Sequence, residues 1–115
     1  MRGHDSHGVV RIMRYVQWLR SGQINANRQA LVLSDMGSII HLDGQSGMGQ
    51  RLAREAVTLG IDRAAEHGMV MIAMRRAGHI GRLGAYAEQA CRAGFVSIQF
   101  ANVGGSRIVL SLIHI

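Results

Sequence analysis

Apolar side chains recur every three or four residues between positions 12 and 19, and this spacing predicts an α-helix from about Ser6 to Arg20. Asp5 is the natural N-cap, because its carboxylate can accept the free amide hydrogens of the first turn. Gly22 supplies the stop signal. The chain therefore opens with a polar cluster that leads into an amphipathic helix.

Two short apolar runs follow, Ala30–Ser34 and Ser38–Leu42, and both predict strands. The segment 35–37 lies between them and favours a hairpin, since Gly37 can take a positive φ. We expect the second strand to close at residues 43–44. These elements form the first paired part of a sheet.

The next helix is predicted to open within residues 45–50, with Ser46 as its cap, and to run through Glu66. Its repeated face consists mainly of small side chains, which permits close approach to a neighbouring sheet, and Gly68 ends it. His67 in its last turn suits the negative end of a helix and needs no catalytic role. His41 is interpreted as a surface histidine that alternates outward on its strand.

The apolar run Met69–Met74 is short enough for a fully buried strand. A loop over 76–82 leads into a helix from about Leu83 to Arg92, which Gly94 terminates, and a strand over Phe95–Ala101. The apolar side of that helix comprises Tyr86, Ala87, Ala90 and Cys91. This order of helices and strands indicates an α/β or α+β fold with helices flanking a mixed sheet.

Composition narrows the classes of function. The 115 residues carry a net charge of +6, and all 13 basic residues are arginine, so these residues contain neither a Schiff-base lysine nor a P-loop lysine. The arginines are scattered and aromatic residues make up only 4%, which argues against nucleic-acid binding. The sequence has no apolar run long enough for a membrane span, and residues 1–7 lack the apolar core expected of a signal peptide. The single cysteine predicts a reducing, cytoplasmic environment.

The candidate chemistry begins on the first helix. His7, Arg11 and Tyr15 are spaced four residues apart, so their side chains form one polar stripe that starts at the helix N-terminus. Arg11 can clasp a carboxylate with two hydrogen bonds. An acid–base group beside a carboxylate anchor suits an enzyme that acts on a 2-hydroxy or 2-oxo acid. His79 lies in a glycine-containing loop between a strand and a helix, a usual place for a functional side chain.

Other interpretations of these residues stay open. Polar residues at helical spacing usually form a solvated face, and a histidine in a glycine-rich loop is more often structural. His4, Asp5 and His7 offer a metal-ligand spacing but lack a third strong ligand if Asp5 caps the helix. A basic, non-catalytic module that binds nucleic acid is the remaining alternative.

Two motifs, His4–Arg11 followed by Tyr15, and Arg76–Tyr86, resemble the signatures of the malate/L-lactate dehydrogenase type 2 family. They occur in the order and at the separation seen in that family, and the resemblance runs from Arg2 to about Gly104. It implies a non-Rossmann α/β fold. It also implies hydride transfer between NAD or NADP and a small 2-hydroxy or 2-oxo acid, in a homodimer with substrate held near the subunit interface.

The resemblance also implies the site residues. His7 and His79 correspond to histidines at the substrate, of which one or both act in proton transfer, and Arg11, Tyr15 and Ser6 correspond to substrate contacts. Asn102 falls where the family begins to contact the dinucleotide. Val103 departs from the small polar residue common there.

The apolar end of the chain does not follow the family pattern. We expect residues 1–105 to be part of an oxidoreductase domain that is truncated at both ends, and inactive in isolation. Our hypothesis for residues 106–115 is a non-native tail from a truncated or misread reading frame.

Overall fold

The computed structural model describes residues 12–102 and the backbone of residues 109–111. The chain divides into two compact units, the first ending at Arg82 and the second beginning at Leu83. The first unit contains helix α1 (Ile12–Ser21), strand β1 (Leu31–Asp35), strand β2 (Ile39–Gly47), helix α2 (Gly49–His67) and strand β3 (Met71–Ala77). The second contains helix α3 (Gly84–Arg92), strand β4 (Gln99–Ala101) and strand β5 (Val109–Ser111).

The three strands of the first unit form a mixed sheet in the order β1-β2-β3. β1 and β2 are the predicted antiparallel hairpin, and Gly37 takes the predicted positive φ of 82° in its turn. The Gly37 amide donates a hydrogen bond of 3.0 Å to Oδ1 of Asp35. β2 and β3 are parallel, and α2 makes the crossover between them. The α/β fold class is therefore confirmed.

The core of the first unit lies between the sheet and α2. Ile40 and Leu42 on β2 are buried, as are Leu52 and Ala64 on α2. A Cβ placed on Gly60 would lie 3.2 Å from Cδ1 of Ile72, so the small residue permits close packing of α2 on β3. The predicted small-sided face of this helix thus serves the helix–sheet contact.

Two predicted boundaries around α2 are wrong. β2 does not close at residues 43–44 but continues to Gly47, with its register to β3 interrupted between Asp43 and Gly47. Gln45 and Ser46 have positive φ values of 52° and 56° and form the bulge at which the register is interrupted. Ser46 therefore belongs to β2 and does not cap α2, whose N-cap is Met48 without a side-chain cap. The predicted end of the helix at Gly68 is confirmed by its φ of 85°.

Three further expectations are corrected. β3 is not fully buried: its residues alternate between half-buried and exposed at its start, with Met71 62% exposed, because only one face of the strand is covered. Cys91 is exposed, whereas the other three residues of the predicted apolar side of α3 are buried. The last predicted strand is reduced to Gln99–Ala101, the three residues that pair with β5. His41 is exposed, as predicted.

The C-terminal boundary of α1 agrees with the prediction within one residue, since the helix ends at Ser21 and Gly22 has a φ of 79°. Its predicted start at Ser6 and its cap at Asp5 lie outside the described residues. The tail hypothesis stays a prediction, although residues 109–111 pair with β4 in an antiparallel ladder. No helix in the described part of the chain combines the length and apolar character needed to cross a bilayer.

Replacing Leu52 by alanine is expected to lower the free energy of unfolding by about 2–5 kcal/mol, the usual result of truncating a fully buried leucine. Leu31→Ala is the matched control, because Leu31 is 53% exposed on β1. Equal losses for the two variants in urea unfolding would contradict the assigned core.

Acid is expected to weaken the β1–α2 contact. The Arg63 guanidinium and the Gly37 amide lower the pKa of Asp35 from 3.8 to about 2. Because the pKa is depressed in the folded state, this stabilisation is fully present above pH 3.8 and is lost as pH falls from 3.8 towards 2. The difference in unfolding free energy between the original chain and Asp35→Asn should shrink across that window. A difference independent of pH would refute the assignment.

Candidate functional site

His79 lies in the loop between β3 and α3, and backbone packing fixes the start of that loop. The Gly78 amide donates a hydrogen bond of 3.1 Å to the Gly47 carbonyl, at the end of β2. A Cβ on Gly49 would lie only 2.1 Å from the Gly78 oxygen and 2.5 Å from the His79 oxygen. The loop therefore runs directly against the first turn of α2, in a contact that only glycine at position 49 allows.

A chain of hydrogen bonds joins three elements of the first unit at this loop. Oη of Tyr15, on α1, lies 2.8 Å from Nδ1 of His79. Nε2 of Gln50, at the start of α2, donates to the same Oη over 2.8 Å. All three side chains are in half-buried residues, where such bonds are less exposed to competition from water. A phenol, an imidazole and an amide thus form one connected polar cluster, which we call the Tyr15–His79–Gln50 chain.

Aromatic contacts orient the phenol of Tyr15. Its ring centroid lies 6.0 Å from that of His79 and 5.6 Å from that of Trp18, and both pairs are tilted. The Trp18 carbonyl accepts a hydrogen bond from the backbone N–H of Ile24, a buried residue just beyond the end of α1. These contacts connect the end of α1 to the core and support the direction of the Tyr15 side chain.

Asp43 anchors the end of β3 from which the His79 loop departs. Its carboxylate is 1% exposed and accepts hydrogen bonds from Nε of Arg75 at 3.1 Å and from Nε of Arg76 at 2.9 Å. The backbone N–H of Gln45 donates a further hydrogen bond of 2.8 Å to Oδ1 of Asp43. The Arg76 guanidinium and these other donors hold the pKa of Asp43 well below its usual range. Arg76 is the first residue of the second motif. It has a φ of 53°, and its guanidinium donates to the Asp43 carboxylate.

The structure thus brings together one predicted site residue from each motif, Tyr15 and His79. Ser6, His7 and Arg11 lie outside the described residues, so their roles stay predictions. Asn102 is exposed directly after β4, in the second unit.

The predicted metal alternative involves His4, Asp5 and His7, which also lie outside the described residues. Within residues 12–102, no three His, Cys, Asp or Glu side chains lie close enough together to hold a metal ion. The nucleic-acid alternative rests on surface charge and is not tested by this arrangement.

Sequence reasoning missed two members of this region. Gln50 was interpreted only as part of the turn into α2, although its amide donates directly to Tyr15. Asp43 was interpreted as a strand terminator, although two arginines of β3 converge on it. One sequence signal could have found Asp43. It is an acidic residue at the end of one apolar strand, combined with two adjacent arginines at the end of the following strand.

The match to known families extends over both motifs. The profile of the malate/L-lactate dehydrogenase family matches residues 1–111. The chain belongs to this family. Among curated relatives, hydroxycarboxylate dehydrogenase B of Escherichia coli K12 is 42% identical over 109 residues, which cover 95% of this chain and 30% of that protein. A malate dehydrogenase of Pyrococcus abyssi is 36% identical over 102 residues, 89% of this chain and 28% of the relative.

Solved structures show the same fold. A malate/lactate dehydrogenase structure from E. coli superposes with a TM-score of 0.77 at 40% identity, over 80% of this chain and 26% of that one. The sulfolactate dehydrogenase of Methanocaldococcus jannaschii gives a TM-score of 0.76 at 32% identity, over 78% of this chain and 26% of its own. The chain therefore spans under a third of the length of these relatives, and it shares their family and local fold.

Proposed function

We propose that this chain carries the proton-transfer part of the active site of a nicotinamide-dependent oxidoreductase. The reaction is hydride transfer between NAD or NADP and C2 of a small 2-hydroxy or 2-oxo acid. Relatives named as hydroxycarboxylate, malate and sulfolactate dehydrogenases support this substrate class. The observation that carries the proposal is the 2.8 Å contact between Tyr15 Oη and His79 Nδ1, which joins the two sequence motifs in one cluster.

His79 is the proposed proton-transfer residue. In oxidation an imidazole nitrogen removes the hydroxyl proton of the substrate, and in reduction the imidazolium returns it to the oxygen that forms. Imidazole suits both directions because it exchanges protons near neutral pH without special tuning. Tyr15 holds the ring through its 2.8 Å contact with Nδ1.

The first motif supplies the remaining proposed substrate groups. Arg11 would bind the substrate carboxylate through its planar fork, and Ser6 would hydrogen-bond beside it. His7 is proposed as a second acid–base group, and Tyr15 as a substrate contact in addition to its bond with His79. Arg11 and Ser6 are thus assigned to the substrate carboxylate, and His7 to the hydroxyl group.

The nicotinamide would supply or accept the hydride when bound. The described residue that we assign to this cofactor is Asn102. Its exposed amide can donate and accept hydrogen bonds, which fits a polar part of a dinucleotide, although Val103 beside it offers no such group. The choice between NAD and NADP depends on other residues.

We further propose that the active protein is a cytoplasmic homodimer that binds substrate near its subunit interface. The single exposed cysteine is consistent with a reducing compartment. Several large apolar side chains of the sheet unit are exposed, including Val32, Ile39 and Met71, which is consistent with additional protein covering them.

The test is an assay of the complete product of the gene that contains this sequence. Malate, lactate, sulfolactate and related 2-hydroxy acids are offered with NAD and with NADP, and reduced nicotinamide is followed by absorbance. Substrate deuterated at C2 should transfer its label to the cofactor. Absence of oxidation for every acid with both cofactors, together with absence of reduction of the 2-oxo acids, would overturn the proposed function.

A further inference from the structure

The Tyr15–His79–Gln50 chain has a direction, because a tyrosine hydroxyl has one hydrogen. Oη accepts the hydrogen bond that Nε2 of Gln50 donates. Its own hydrogen is then available for Nδ1 of His79, 2.8 Å away, and the tautomer of the ring decides whether Nδ1 accepts this hydrogen or donates its own to Oη. A neutral imidazole that accepts at Nδ1 carries its proton on Nε2. Donation by Gln50 makes the phenol a better donor, so it favours the tautomer of His79 that accepts at Nδ1.

The same amide has an unused acceptor. Oε1 of Gln50 is buried and has no hydrogen-bond partner among the described residues. A buried carbonyl oxygen without a partner is costly, so such an atom calls for a physical explanation. Rotation of the amide about its last torsion exchanges Oε1 and Nε2 and would direct the acceptor at Tyr15.

We propose that Gln50 is the positioning residue for His79, and that its amide turns over when His79 gains a proton. In the neutral state Gln50 donates to Tyr15, and Tyr15 donates to Nδ1. When His79 becomes doubly protonated, Nδ1–H donates to Oη, the Tyr15 hydroxyl turns towards Gln50, and Oε1 accepts its hydrogen. Every hydrogen bond of the chain is kept in both states.

This role depends on an amide at position 50. A carboxylate of the same shape can only accept, so it would hold Tyr15 as a donor to residue 50 and would require Nδ1 of His79 to carry a proton. The Tyr15 phenol from α1 contacts His79, the neutral Gln50 from α2 contacts Tyr15, and Arg82 is a cationic residue of the same loop as His79. The inference rests on the proposed function only in giving His79 a catalytic proton; the hydrogen-bond switch itself exists without substrate.

The test uses the 115-residue chain with ¹⁵N-labelled histidine and glutamine, and NMR that distinguishes protonated from unprotonated ring nitrogens. The original chain at alkaline pH should show His79 protonated on Nε2. On acidification the side-chain amide signals of Gln50 should shift in step with protonation of His79, whereas those of the exposed Gln17 should not. In Tyr15→Phe the Gln50 response should disappear, because Oη transmits it.

Gln50→Glu should move the proton of neutral His79 from Nε2 to Nδ1 and should make His79 hold its second proton to a higher pH. Gln17→Glu, which adds the same charge on α1, controls for simple electrostatic attraction. The inference is overturned if Gln50 fails to respond to His79 in the original chain, a result that needs no variant to fold. It is also overturned if Gln50→Glu acts equally in the Tyr15→Phe background. Loss of enzymatic turnover plays no part in these outcomes, so a failed proposed function would be recognised separately.

Discussion

Replacing His79 by glutamine is expected to lower turnover by about 10²- to 10⁴-fold, the usual contribution of a general acid–base group. Glutamine can still hydrogen-bond to Tyr15, but it cannot exchange a proton with the substrate. The loss should appear in kcat for the preferred 2-hydroxy acid, measured in the complete gene product. Substrate affinity should change less, because the carboxylate of the substrate is assigned to Arg11.

His41→Gln provides the matched control for this experiment. The His41 side chain is exposed on β2 and is not assigned to the site, so its replacement should leave turnover within about twofold. Replacing His7 tests the second proposed acid–base group in the same assay. Near-normal turnover in both His79→Gln and His7→Gln would contradict the assigned chemistry.

The elements that sequence reasoning predicted well carry their signals locally. The β1–β2 hairpin follows from two short apolar runs and the positive φ available to Gly37. The end of α2 follows in the same way from Gly68, whose amide donates to the carbonyl of Ala64. Neighbouring residues alone decide such turns and caps, so one sequence is sufficient to find them.

The features that were missed depend on contacts between distant residues. The parallel pairing of β2 with β3 places Asp43 opposite Arg75, and only that register explains why an acidic residue is buried there. The extension of β2 to Gly47 has the same origin, because its last residue pairs with Ala77. A residue that appears to end a strand in the sequence thus becomes an anchor within it.

The same distinction between local signals and distant contacts applies to the candidate site. The two motifs predicted His79 and Tyr15 as members of a site, and these two side chains lie within hydrogen-bond distance of each other. Gln50 could not be predicted, because it lies 35 residues from Tyr15 and belongs to neither motif. Its role follows from the path of the His79 loop across the start of α2, which is a tertiary contact between backbones.

That backbone contact leads to the second large expected effect. Gly49→Ala is expected to lower turnover by about 100-fold, since a displacement of roughly 1 Å at a catalytic group has that consequence. The added Cβ would lie 2.1 Å from the Gly78 oxygen, so either the His79 loop or the first turn of α2 must move. Overpacking of this kind also costs about 1–3 kcal/mol of stability. Steady-state kinetics and urea unfolding of the same variant measure the two effects.

Gly60→Ala distinguishes this steric mechanism from a general effect of changing glycine within α2. Its added Cβ would meet a methyl group of Ile72 at 3.2 Å, a side chain that can adjust, and alanine is about 1 kcal/mol more favourable than glycine inside a helix. Turnover should therefore stay near normal in Gly60→Ala. If Gly49→Ala is equally active, the close approach of the loop to α2 does not control the position of His79. The hydrogen bond to Tyr15 would then be the contact expected to position the imidazole, and the turnover of Tyr15→Phe measures its contribution.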